Sequence, residues 1–352
     1  MRRKDPLIIG AGPAGCAAAI TLAVAGQRPL LLERARETGD ALCGGFVSWQ
    51  TLARLNALGV SLPGHVIGRV RLYAGDVMSE AALPAPGLGL SRRAMDSALL
   101  KAARAAGAGL ERGVTVRDLA EVRHPDRPVF LATGKHDLKG AARPRTATDP
   151  ALGLRVRVPV SPALAARIGD AIELHLFDRG YAGVELQEDG TANICLALRK
   201  SRLAEAGRDP ARLLAELGAA SVPFGDRLAG MSAATPIEAI ANVPYGWRQT
   251  DDPDGVFRLG DQAAVIPSLA GEGNGIALAS GVSAARALLD GAAPADWQRD
   301  FARQTRRPVG LAKLVWQMGE RPGLARLATG LLGSAPGLVA ALARATRVTD
   351  RA

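Results

Sequence analysis

The run Ile8-Ile9-Gly10-Ala11-Gly12-Pro13-Ala14-Gly15, continued by Cys16-Ala17-Ala18-Ala19, leaves few folds open, because it sets three glycines between an apolar strand and an alanine-rich helix. Gly10 permits a tight turn. Gly12 lets backbone approach a pyrophosphate, whose charge the helix N-terminal amides stabilise. A second apolar strand, Leu30-Leu31-Leu32, ends in Glu33, 18 residues after Gly15. A carboxylate there accepts hydrogen bonds from a ribose 2′-hydroxyl and disfavours a 2′-phosphate. Strand, helix, strand and acid together predict a dinucleotide-binding unit.

Composition narrows what surrounds that unit. With 352 residues and 48% hydrophobic content, the chain has material for two domains. Its net charge of +10 invites a nucleic-acid partner, yet 38 of the 44 basic residues are Arg and aromatics are only 4%. They do not interleave with the basic residues as stacking platforms do, so no nucleic-acid partner is expected. Cys16, Cys43 and Cys195 are odd in number and widely spaced, which fits a reducing cytoplasm. Met1-Arg2-Arg3-Lys4 imitates the start of a secretory leader, but the apolar run behind it follows Asp5 and is broken by glycines. His65, His124, His136 and His175 show no ligand spacing, so no metal is expected.

Ile8 to Gly59 reads as strand, helix, strand, loop, helix, the opening of a doubly wound sheet. Val66 to Leu83 alternates about a turn at Gly75-Asp76, a hairpin outside that sheet. Arg92 to Ala106 is helical in spacing, and Val114–Val116 and Pro128–Ala132 read as strands. From Leu152 to Leu198 the period becomes two, with turns at Asp178-Arg179-Gly180 and Glu188-Asp189-Gly190. That pattern predicts an antiparallel sheet inserted into the first domain. Helical patterns occupy Leu203 to Leu217. Val256 to Asp261 is a further buried strand, followed by a glycine-rich loop and a helix from about Gly275 to Leu289. The C-terminal region reads as helices broken at Pro308, Pro322 and Pro336, and its uncharged stretch Leu327–Ala343 is interrupted by Gly333-Ser334-Ala335-Pro336-Gly337. Packing over the active-site entrance is one reading of it, peripheral attachment to a membrane the other.

Four separated motifs converge: Gly10 to Gly15 with Glu33, Arg92-Arg93-Ala94-Met95-Asp96, Ala132-Thr133-Gly134, and Gly260-Asp261-Gln262-Ala263-Ala264 with Pro267 and Gly271-Glu272-Gly273-Asn274-Gly275. The combination resembles the FAD-dependent oxidoreductases of the p-hydroxybenzoate hydroxylase and geranylgeranyl reductase superfamily over roughly residues 6 to 290. The resemblance implies an α/β fold: a doubly wound, glutathione-reductase-like Rossmann domain for FAD, an inserted antiparallel β-sheet substrate domain, and C-terminal helices. The expected segments are 1–62, 86–145 and 235–296 for FAD, 63–85 and 146–234 for the insertion, and 297–352 for the helical region.

It also implies roles. Gly10, Gly12, Pro13, Ala14 and Gly15 would cradle the FAD pyrophosphate, with Glu33 and Arg34 at the ribose. Arg92 corresponds to the family's arginine near the flavin tail, Val122 to its adenine contact, and Gly134 closes the Ala-Thr-Gly strand end. Asp261 looks like the carboxylate at the ribityl or pyrophosphate region. Pro267, Gly271, Gly273, Asn274, Gly275 and Ile276 would bring helix N-terminal amides to the ring edge, where they favour the anionic reduced flavin. Cys43-Gly44-Gly45 is similar to the loop that lies beside the isoalloxazine in geranylgeranyl reductases, and backbone without side chains allows close approach. Phe46, His175 and Tyr181 are the candidate substrate pocket, with His175 and Tyr181 of the inserted sheet read as satisfied core residues in preference to an acid/base pair. The loop from Lys135 to Gly140 reads either as a basic loop near the phosphates or as a crossover between domains, the crossover being preferred.

Three departures accompany the resemblance. Only the eleven residues Arg117 to Arg127 stand where the family has a longer meander. Val265 replaces a histidine common in hydroxylases, and the Tyr-x-Trp-x-Phe-Pro element of many reductases is missing. The expectation is noncovalent FAD, NAD(P)H as a transient donor, and oxygenation of a hydrophobic polyketide-, phenol- or isoprenoid-derived molecule. The alternatives are a reductase of carbon–carbon double bonds and a degenerate flavoprotein that binds without turnover.

Overall fold

The computed structural model describes residues 5–251 and 255–349. Met1–Lys4, weighed above as a leader, lies outside them. Two sheets organise the described residues. The first has five parallel strands in the spatial order Phe257–Arg258, Val129–Leu131, Leu7–Ile9, Leu30–Glu33 and Gly109–Arg112. Leu7, Ile8 and Ile9 are all buried, as a central parallel strand covered on both faces requires. Helix Pro13–Val24 packs on it and against helix Gly273–Leu289. Small residues make that helix pair close: a Cβ on Gly281 would lie 2.3 Å from the Ala14 carbonyl oxygen and 2.9 Å from the Ala17 Cβ. The alanine run therefore serves backbone proximity as well as helix propensity.

The second sheet has eight strands in the order Glu238–Val243, Ala151–Val158, Ala192–Arg199, Gly180–Leu186, Ala171–Phe177, His65–Ala74, Val77–Gly89 and Phe46–Val47. It is antiparallel except where Arg69–Ala74 runs parallel to Ala171–Leu176. Period-two alternation gives it two different faces. Ala182, Val184 and Leu186 enter a dry core with Phe224 and the helices that follow the sheet, while Tyr181 joins Leu174, Val70 and Trp316 on the face toward the cleft.

The inserted sheet and the hairpin turning at Gly75-Asp76 agree with expectation. Boundaries differ. Phe46–Val47 and Glu238–Val243, assigned above to the nucleotide segments, pair into the second sheet. The strand expected at Val114–Val116 lies at Gly109–Arg112, and that at Val256–Asp261 shrinks to Phe257–Arg258 before a tight turn at Gly260–Gln262. Pro308 does not break its helix, which runs from Pro294 to Gly319. Pro308 is buried along with Thr305, Val309 and Ala312 of the same helix, and Val309 and Ala312 join the core beside the first sheet, so tertiary burial of this helix offsets the lost hydrogen bond. Pro322 and Pro336 instead open helices Pro322–Ser334 and Pro336–Ala345, where a missing N–H costs nothing.

Candidate active site

A cleft of about 1030 Å³ runs from the first sheet's strand ends to the C-terminal helices. At its nucleotide end the chain turns at Gly10 with φ +106°, and a Cβ there would lie 2.4 Å from the Ala132 carbonyl oxygen. A Cβ on Gly15 would lie 2.0 Å from the Gly10 carbonyl oxygen, so the helix can begin at this distance only because Gly15 has none. Gly12 is different. The nearest atom to a Cβ on Gly12 is the Arg92 guanidinium at 3.7 Å, and its bare face opens on the cleft beside Pro13 and Ala14. This is a backbone cradle that fits a pyrophosphate, with helix N-terminal amides toward it.

Glu33 is fixed at the end of its strand by two backbone amides, Ala11 N at 2.9 Å and Ala35 N at 2.8 Å. It lines the cleft with Arg34, which meets the His136 ring. The His136 imidazole is pushed down from its ordinary range first by burial and then by Arg34, so it is the neutral acceptor of that contact. Arg92 is held by Asp96 through two bonds of 2.9 and 2.7 Å. Asp261 reaches the same cleft from the Gly260–Gln262 turn, and Gln262 donates to the Gly134 carbonyl at 2.8 Å. The loop after Gly134 lines the cleft from Thr133 to Leu138, and the chain then crosses into the second sheet at Ala151, the crossover preferred for it above.

Further along, two glycine loops face one another. Gly271 takes φ +61° against the Phe46 ring, and Gly273, with open space at its Cα, begins the helix Gly273–Leu289. The Asn274 amide lies 3.8 Å from the Cys43 sulfur and ties this loop to Cys43-Gly44-Gly45. Phe46, Cys43, Gly44, Gly45, Gly271, Gly273, Asn274 and Tyr181 all line the cleft. Pro267, Gly275 and Ile276 are buried behind its wall. A Cβ on Gly275 would lie 2.3 Å from a Glu272 carboxylate oxygen.

Two expectations are corrected. Val122 is outside this cleft, in a separate recess with Leu7, Leu30 and Leu32; at the adenosine end the cleft is lined by Val114, Thr115, Val116 and Arg117. The short segment after Val116 turns at Leu119–Glu121, and Val122 beyond it packs against the cluster of Leu119, Val129 and Leu131. His175 is on the wrong face of its strand. Tyr181 pairs with Leu176 and Ala182 with His175, so the two side chains point to opposite sides. His175 stacks on Tyr73 at 4.5 Å and meets Glu173, which Arg71 and Arg227 also bind. Burial pushes the Glu173 carboxyl up, but the Arg227 and His175 hydrogen bonds prevail and hold it at about 2.

Several residues that position the site had no signal in the chain. Asn193 donates to the carbonyls of Cys43 and Gly44 at 3.2 and 2.8 Å, and Arg155 donates to those of Asp40 and Ala41. Glu272, fully buried, binds Arg347 at 2.6 Å and Arg54 at 3.5 Å. Arg347 also donates to the carbonyls of Ala270 and Gly271.

Comparison with known proteins gives the site its class. Residues 3–123 match the FAD-binding domain family. The digeranylgeranylglycerophospholipid reductase 2 of Methanopyrus kandleri is 26% identical over 368 aligned residues, which cover 89% of this chain and 87% of that protein. The fold is shared with a solved geranylgeranyl bacteriochlorophyll reductase-like protein of Thermoplasma acidophilum, with TM-score 0.71, 19% identity and coverage of 96% and 91% of the two chains. It is shared also with a flavin-dependent brominase, with TM-score 0.74, 14% identity and coverage of 98% and 94%. Fold and cradle define a Rossmann-type flavoprotein whose cofactor is FAD. Residues 3–123 thus carry the FAD-binding domain, and over most of its length the chain is similar in sequence to a lipid reductase and in fold to reductase-like and halogenating flavoproteins.

Proposed function

We propose that this protein reduces carbon–carbon double bonds of a long, largely hydrocarbon substrate of isoprenoid type. One observation carries the reading: beyond the two glycine loops the cleft continues between Val70, Leu72, Leu83, Ile172 and Leu174 of the second sheet and the C-terminal helices. Such a lining orients a hydrocarbon by shape and excludes water. The full-length similarity to a named lipid reductase supports the same substrate class. When bound, FAD supplies the two-electron chemistry, and NAD(P)H serves as its transient donor. Gly10 to Ala14, Glu33, Arg92 and Asp261 would hold the nucleotide, and Cys43 to Gly45 and Gly271 to Asn274 would flank the ring.

The C-terminal helices also offer a route of entry. Leu332, Val339 and Leu342 line the cleft, while Leu327, Leu331 and Leu338 on the same helices are exposed. Among the described residues no single helix is long and apolar enough to cross a membrane, and the two helices bend by 114° at their break. We assign the exposed leucines to peripheral contact with a membrane from which the substrate enters. The test is anaerobic incubation of the dithionite-reduced holoprotein with a polyprenyl lipid, followed by mass spectrometry. Gain of two hydrogens per double bond is expected. Unreacted lipid, or gain of one oxygen only when air is admitted, would overturn the reductase reading, the latter in favour of a hydroxylase.

A further inference from the structure

The apolar half of the cleft holds one polar cluster. The Tyr181 hydroxyl donates to the Ser268 hydroxyl at 2.6 Å, and the Tyr245 hydroxyl lies 2.8 Å from the same oxygen. All three residues line the cleft. Tyr181 comes from the cleft-facing side of the second sheet, and Tyr245 packs edge-on against Trp316 at 5.1 Å. Ser268 sits immediately after Pro267 and opens the turn that leads to Gly271. Three unrelated segments thus converge on one serine oxygen beside the loop that flanks the ring.

The protons of this cluster can be counted. Three hydroxyls carry three protons, and the two bonds among them use two. Whichever way the Tyr245–Ser268 bond points, one O–H remains to donate to a ligand. Burial pushes both phenols above their ordinary range, and the charge of Asp261 adds to this at Tyr245, so both stay protonated. The cation among the lining residues that lies on the C-terminal segment, Arg347, is committed to Glu272 and to the carbonyls of Ala270, Gly271 and Ala343. The cluster itself therefore offers a neutral hydrogen bond and no positive charge, which matches an uncharged oxygen.

We propose that Tyr181, Ser268 and Tyr245 are a polar subsite that donates one hydrogen bond to an uncharged oxygen of an otherwise hydrocarbon substrate, and so sets which carbon faces the glycine loops. The inference rests on the reading of the apolar cleft as the substrate chamber. It adds the chemical class: an alcohol, ether or ketone oxygen at one point of the molecule.

The experiment compares three probes of one carbon skeleton, geranylgeraniol, its methyl ether, and the parent hydrocarbon. Affinity is read from quenching of tryptophan fluorescence in apoprotein and FAD-loaded protein, since Trp316 adjoins Tyr245. The wild type should bind alcohol and ether roughly tenfold tighter than hydrocarbon. Each single variant, Tyr181→Phe, Ser268→Ala or Tyr245→Phe, still has a spare proton and should keep part of that preference. The triple variant should lose it while holding the hydrocarbon within about twofold of wild type. Ser268→Leu, whose added bulk enters the cleft, should also erase it, which keeps the test open should the triple variant not fold. A full preference that survives in both the triple variant and Ser268→Leu, or is absent from the wild type, overturns the subsite. Hydrocarbon that binds without oxygen preference leaves the chamber reading standing, whereas failure of all three probes to bind the wild type removes both.

Discussion

Glu185 offers the sharpest test of how the second sheet supports the cleft. The residue is fully buried behind Gly45, which takes φ +84°, and a Cβ on Gly45 would lie 2.0 Å from its carboxyl oxygen. Neither Glu185 oxygen has a hydrogen bond of good geometry among the described residues. Burial drives its carboxyl well above the ordinary value of 4.5, with Cys43 adding to the shift and Gln187 opposing it. A raised folded-state value means that the contribution to stability is intact below 4.5 and is lost as pH rises toward the folded value. For as long as Glu185 stays protonated in the fold, each pH unit above 4.5 costs on the order of 1 kcal/mol, at most about 3 kcal/mol between pH 5 and pH 7. The variant Glu185→Gln keeps the shape and removes the titration. Its melting temperature should therefore gain on the wild type by at most about 4 °C between pH 5 and pH 7, taking about 2 cal/mol/K of unfolding entropy per residue. Differential scanning fluorimetry of both proteins, saturated with FAD, measures this. A difference that is constant across pH, or that shrinks as pH rises, would refute an uncompensated buried carboxyl.

Gly12→Val should raise the FAD dissociation constant more than about tenfold while the apoprotein melts normally, because the added side chain meets only the cleft; unchanged FAD titration would show that this loop does not hold the pyrophosphate. Arg227→Met removes two 2.8 Å bonds to the buried Glu173 and should destabilise by about 3 kcal/mol at pH 7. Since Glu173 is held near 2 in the fold, that deficit should be present above 4.5 and close as pH falls toward 2; urea melts showing a pH-independent deficit would contradict the assignment. Leu327→Asp/Leu331→Asp should lower cosedimentation with anionic vesicles at least about fivefold without changing FAD content, and undiminished binding would remove the leucine face as the contact.

The chain announced its nucleotide end more fully than its substrate end, for a physical reason. Gly10, Gly12, Gly15 and Glu33 act through local backbone geometry, and such constraints leave fixed spacings in sequence. Which face of a strand carries a side chain depends on register. His175 and Tyr181 looked equivalent in the alternating pattern until the pairing Tyr181–Leu176 sent them to opposite sides. Val122 failed similarly, because a short connection leaves its direction to tertiary packing. Asn193, Arg155, Glu272 and Arg347 act across long sequence separations, so no spacing betrays them. Pro308 shows a local rule overridden by burial, as proline at a helix start shows the same rule obeyed.

The Arg347–Glu272 pair joins residues 75 positions apart, and it pins the turn from Ala270 to Glu272 from outside the Rossmann core. During synthesis, the ring-flanking loop emerges long before the guanidinium that fixes it. The shape of the loop that faces Cys43-Gly44-Gly45 is thereby completed only when the C-terminal segment docks, so one wall of the cleft answers to a stretch of chain far from it in sequence.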